Sequence, residues 1–212
     1  MMESLPLRDR DGLPDALRTL LADYPREAWE QHPQFTGLVQ FWLERHMMFR
    51  QLEELMGRDL QAVLERQADP AISARRLGRF GGMLVQQLNG HHQIEDLHYF
   101  PLLTELEPRL ERGFEMLERD HDALDGLLAE FAREANSAIV AMAGHGSLPV
   151  HGPGGSGPQG DAREGALDDP RPAVDRFASQ LESFRSLLER HLLDEEDLVV
   201  PVILAADPAV LA

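Results

Sequence analysis

The stretch His91-His92-Gln93-Ile94-Glu95-Asp96-Leu97-His98-Tyr99-Phe100-Pro101 decides how the rest of the chain is read. It has a counterpart in His191-Leu192-Leu193-Asp194-Glu195-Glu196-Asp197-Leu198-Val199-Val200-Pro201. Both copies run His, three residues, Glu, five residues, Pro. On a helix, residues four apart lie about 40° apart around the axis and one turn along. Each copy therefore presents an imidazole and a carboxylate to one point. Two such pairs facing each other point to a metal site.

Working outward, both copies sit on apolar stripes of helical period. The seam before the first is Leu77, Phe80, Leu84 and Leu88, within a helix expected from about Ile72 to Tyr99. The seam before the second is Phe177, Leu181, Phe184 and Leu188, within a helix from about Ala173 to Leu198. Two further stripes complete the set. Phe35, Leu38, Trp42, His46, Phe49, Met56, Leu60 and Val63 mark a helix from about Gln34 to Ala68. Phe114, Leu117, His121, Leu124, Leu128 and Phe131 mark another from about Pro108 to Met142. A histidine stands in the seam of every helix: His46, His91, His121 and His191. With no strand signal, the expected fold is all-α, an antiparallel up-down four-helix bundle.

The remainder is read as accessory. Residues 1–33 form an N-terminal extension, polar and loose to about residue 12. A short helix then follows through Leu13, Ala16, Leu17, Leu20 and Leu21, stopped by Pro25. The bundle occupies 34–203. Within it, 144–172 is dense in Gly and Pro and reads as a flexible surface insertion between the third and fourth helices. Residues 204–212 are a short apolar tail.

Composition narrows the function. The chain has 212 residues, a net charge of −17 and no cysteine. The charge argues against nucleic acid and anionic membrane surfaces. Without cysteine there are no disulfides, thiolate zinc sites, iron–sulfur clusters or thiol nucleophiles. Any metal must be held by His, Asp and Glu, which suits iron, manganese or zinc. No apolar run is long enough to span a membrane, and the first residues lack a secretory pattern. A cytoplasmic location is the expectation.

One His-x-x-x-Glu carries little weight, because acids are roughly one residue in six here. Four seam histidines on four helices with two matched glutamates carry far more. Buried unpaired carboxylates are costly, and metal coordination removes that cost. His98, seven residues after His91, falls on nearly the same face and is read as a buried histidine satisfied by another side chain. His92 points about 100° away from His91 and is read as lying outside the ligand set. Asp120, Asp122, Glu196 and Asp197 are read as solvated faces, with one of them available to orient a ligand imidazole. His145 and His151, in the Gly/Pro insertion, are expected to be exposed.

Together these positions resemble the hemerythrin-like, or HHE cation-binding, family: a first-helix His, His-x-x-x-Glu on the second helix, a third-helix His and His-x-x-x-Glu on the fourth. Phe100-Pro101 after the first acidic pair also fits, and the resemblance spans about 35–203 apart from the insertion. It implies a non-haem di-iron centre inside the bundle. His46 and His91 would bind one iron, and His121 and His191 the other. Glu95 and Glu195 would bridge them, with an oxo or hydroxo group between. Oxygen carriers of the family place a second histidine one turn after the third-helix ligand; here that position is Asp125. Either Asp125 coordinates or that iron has a more open site. The expected function is binding or sensing oxygen or a related diatomic such as nitric oxide. The alternatives are a di-iron redox enzyme acting on iron, peroxide or nitric oxide, and a regulator with a structural metal and a protein partner or second copy.

Overall fold

The computed structural model describes residues 6–35, 37–144 and 169–210, and every regular element among them is helical. Short 3-10 turns at Leu7–Asp9, Asp15–Leu17 and Arg26–Gln31 flank a five-residue helix α1, Thr19–Asp23. The long helices are α2 (Leu38–Leu64), α3 (Pro70–Ile94), α5 (Glu111–Gly144) and α6 (Arg171–Ala205). Between α3 and α5 lie a π-helical turn, Glu95–Tyr99, and α4, Phe100–Leu106. Residues 145–168, most of the expected insertion together with His145 and His151, fall outside the described residues.

The ends of these helices follow from local chemistry. Asp69 caps α3, its carboxylate accepting from the N–H of Ala71 at 2.8 Å, with Pro70 in the first turn. At the end of α2, Arg66 takes the left-handed conformation (φ 59°). The N–H groups of Arg66 and Gln67 bond back to Val63 and Ala62, closing the helix as a glycine normally would. Proline governs the next break. Pro101 has no N–H, and its ring crowds the carbonyl of Leu97. The chain widens there instead of breaking, and the N–H of Phe100 reaches the carbonyl of Glu95, five residues back.

The long helices touch in the cyclic order α2, α3, α5, α6 and back to α2. Paired residues rise in number on one helix as they fall on its neighbour. Arg45 meets Gln87 while Asp59 meets Arg76. Across α3 and α5, His92 meets His121 and Gly78 approaches Ile139. Across α5 and α6, Phe131 packs on Phe184 and Gly113 lies against Leu198. A Cβ at Gly113 would stand 2.8 Å from Leu198 Cδ2, so a side chain there would displace Leu198.

The core is two apolar clusters with a polar layer between them. One contains Phe49, Leu84, Leu88, Leu124, Phe184 and Leu188. The other contains Trp42, Phe100, Phe114, Leu117, Leu198 and Val199. On each long helix the seam histidine falls where one cluster gives way to the other.

The N-terminal segment is not loose over its described part. Leu7 and Leu13 are buried, and so is Arg10. The Arg10 guanidinium donates to Asp194 on α6 at 2.8 Å and to Asp120 on α5. Its planar fork joins two buried carboxylates, of which Asp194 also pairs with Arg190 at 2.6 Å and Asp120 also lies 3.7 Å from His191 Nδ1. A single arginine in a polar run has no period to betray this.

Candidate metal centre

Two groups of potential ligands lie in the polar layer. His46, His91, Glu95 and Glu195 form one, and His92, His121 and His191 the other; within each, one donor atom per residue lies within 4.8 Å of the rest. All seven side chains are buried except His91, which is nearly so.

The two glutamates lie between the groups. Glu95 places Oε1 3.0 Å from His91 Nε2 and Oε2 3.6 Å from His121 Nε2. Glu195 places Oε1 3.4 Å from His46 Nε2 and Oε2 3.4 Å from His191 Nε2. Each carboxylate thus offers one oxygen to each group. The Nε2 atoms of His46 and His91 are 3.1 Å apart. His92 stacks on His121, with ring centroids 4.0 Å apart and planes 9° from parallel.

These donors suit a bound cation. Both oxygens of Glu95, Oε2 of Glu195, Nε2 of His121 and both ring nitrogens of His92 and of His191 are buried without a hydrogen-bond partner. Buried polar atoms are ordinarily paired. Here these unpaired atoms belong to the residues of the two ligand groups, and all are nitrogens and oxygens of the kind that hold iron, manganese or zinc.

Acidic groups steady the imidazoles from behind. Glu196 Oε1 lies 2.9 Å from Nδ1 of His46, and Asp96 Oδ1 lies 2.7 Å from Nδ1 of His121. Asp120 Oδ2 is 3.7 Å from Nδ1 of His191. A carboxylate at Nδ1 fixes the ring and leaves Nε2 as donor to a metal. Trp42 Nε1 donates to Glu195 Oε1 and fixes that carboxylate. Asp120 and Glu196 are therefore buried working groups, not solvated faces. Asp122 is exposed, and Asp197 pairs with Arg26 at 2.6 Å.

Protonation follows burial. Desolvation pushes His91 down to about 3, His92 well down and His121 below its ordinary value. Neutral imidazole is the form that binds metal. His191 goes the other way. Burial opposes its charge, but Asp120 and Glu195 raise it to about 9. Burial and the charge of Glu195 raise Glu95. For Glu195, burial is outweighed by His46 and His191, and its pKa falls well below the usual carboxylate range.

Of the residues singled out from sequence, His46, His91, Glu95, His121, His191 and Glu195 are brought together. Asp125 is not. Its side chain is 62% exposed, with Oδ1 4.0 Å from Nδ1 of His92. His98 is also exposed, because the π-helical turn inserts one residue per turn and carries the buried face from Glu95 to Phe100 and Leu103. His92 is the residue that sequence reasoning set aside. Its 100° offset from His91 is close to the angle between two neighbours of a four-helix ring, so His91 faces α2 and His92 faces α5. The paired histidines were the available signal.

Fold and site together define a helical protein with two buried groups of histidines and carboxylates able to hold metal ions. The hemerythrin HHE cation binding domain model matches residues 37–145, just over half of the chain, and the chain belongs to that family. The match includes His46, His91, Glu95 and His121; His191 and Glu195 lie beyond it on α6. No curated protein and no solved structure matches the chain. No helix among the described residues is long and apolar enough to cross a membrane.

Proposed function

We propose that the chain is a non-haem di-iron protein that binds or senses oxygen or a related small diatomic ligand. In this reading residues 34–203 form an antiparallel up-down four-helix bundle around the centre. His46 and His91 hold one ion, and His92, His121 and His191 the other. Glu95 and Glu195 span the two. The observation that carries the reading is the split of each buried carboxylate, one oxygen to each histidine group. His92 takes the place that Asp125 would have filled.

Iron held by these residues would supply reversible ligand binding or electron exchange with a small oxidant. The chain's own residues fix the rings, exclude bulk water and admit the ligand. A cleft of about 240 Å³ between α2 and α3 is lined by Phe41, Trp42, Ile94 and Tyr99 and reaches His91 and Glu95. Its apolar walls favour a small uncharged ligand.

Metal analysis with an anaerobic-to-aerobic optical titration tests the reading. About two irons per chain, with an optical band that appears with oxygen and fades on its removal, is expected. Irreversible oxidation with turnover of peroxide or ferrous iron replaces the binder with an enzyme. Zinc alone with no optical change removes the redox function.

A further inference from the structure

The polar layer has a second approach, of different chemistry. A cleft of about 360 Å³ between α3 and α5 is lined by Asp96, Asp122, Asp125, His92, His121 and Ala129, among others. Asp122 and Asp125 are exposed. His92 is 3% exposed, and neither of its ring nitrogens has a hydrogen-bond partner. The 4.0 Å between Asp125 Oδ1 and His92 Nδ1 is longer than the roughly 3.4 Å that separates two donors bonded at about 2.1 Å to one tetrahedral ion, a gap that a small rotation of the exposed Asp125 side chain closes. The aromatic cleft differs. Arg45 lines it, bonded to Gln87 at 2.6 Å and lying over the Phe41 ring. A cation is repelled there and drawn to the acidic cleft.

We propose that the α3–α5 cleft is the route by which a divalent cation reaches the centre, captured first between Asp125 and His92 and steered there by Asp122 and Asp125. This rests on the metal-centre reading above and adds to it a role for Asp125 other than that of a permanent ligand. Asp96 is left out of the capture step because it is bonded to His121 Nδ1.

The test is stopped-flow uptake of cobalt(II) by metal-free full-length protein, followed by its visible absorbance. The Asp122→Asn/Asp125→Asn double variant is expected to load to the parent end-point but about tenfold more slowly at low salt, with the gap closing at high salt as steering is screened. Ala129→Trp, which fills the cleft without altering charge, is expected to slow uptake at every salt concentration. Glu130→Gln/Glu134→Gln, an equal charge change further along α5, is expected to load at the parent rate. Parent-rate uptake in either cleft variant, or equal slowing in the Glu130/Glu134 control, overturns the route. Those outcomes leave the centre standing, because the parent still loads. A parent chain that takes up no cobalt overturns the metal-centre reading, and this route with it.

Discussion

Glu53 tests the argument that burial alone does not mark a metal ligand. It lies on α2, seven residues after His46, and is 2% exposed with Oε1 unpartnered. Unlike Glu95 and Glu195, it belongs to neither ligand group. Desolvation raises its pKa from 4.5 to about 8, with Arg185 and Arg50 lowering it and Glu189 and Glu182 raising it. The sign follows. Below pH 4.5 the carboxyl is protonated in both folded and unfolded chains and contributes nothing. As pH rises toward 8, the unfolded chain releases the proton while the folded chain keeps it, so stability falls through that window and levels off above it. At 1.36 kcal/mol per pH unit, the whole interval amounts to about 5 kcal/mol, an upper figure because buried sites relax and admit water. Glu53→Gln keeps the shape and removes the titration. Denaturant unfolding of parent and variant in the same metal state, at pH 5 and pH 9, measures the difference. The variant is expected to match the parent within about 1 kcal/mol at pH 5 and to exceed it by about 2–5 kcal/mol at pH 9. A stability difference that does not change with pH refutes the reasoning.

Three further outcomes follow from the site. His92→Ala is expected to bring metal content toward one ion per chain, whereas Asp125→Ala keeps the parent content; metal analysis after dialysis separates the two, and the reverse pattern would return Asp125 to the ligand set. Asp96→Asn weakens the hold on the His121 ring and is expected to lower metal affinity about 10- to 100-fold, read by competition with a chelator. Arg10→Met removes the cation that Asp120 and Asp194 share, leaving Asp194 to Arg190 and Asp120 beside His191, and is expected to cost about 1.5–3 kcal/mol in denaturant unfolding; a loss below about 0.5 kcal/mol would show that the N-terminal segment does not clamp α5 to α6.

The parts legible in the sequence are those set by repetition along one helix. Apolar residues three and four apart marked the seams of α2, α3, α5 and α6. The same period placed His91 with Glu95 and His191 with Glu195, because residues one turn apart share a face whatever surrounds them. Composition contributed as well: a chain without cysteine has only nitrogen and oxygen ligands to offer. What depended on neighbouring helices was not legible. His92 and His121 meet because α3 touches two helices at once, and the offset that separates His92 from His91 turns it toward α5. His98 leaves the core because a turn widened before Pro101 shifts the phase of every residue after it. Asp120, Glu196 and Arg10 find their partners across distances in sequence that no local period records. A helix fixes the angle between its own residues; only the packing of helices decides which of those angles point at something.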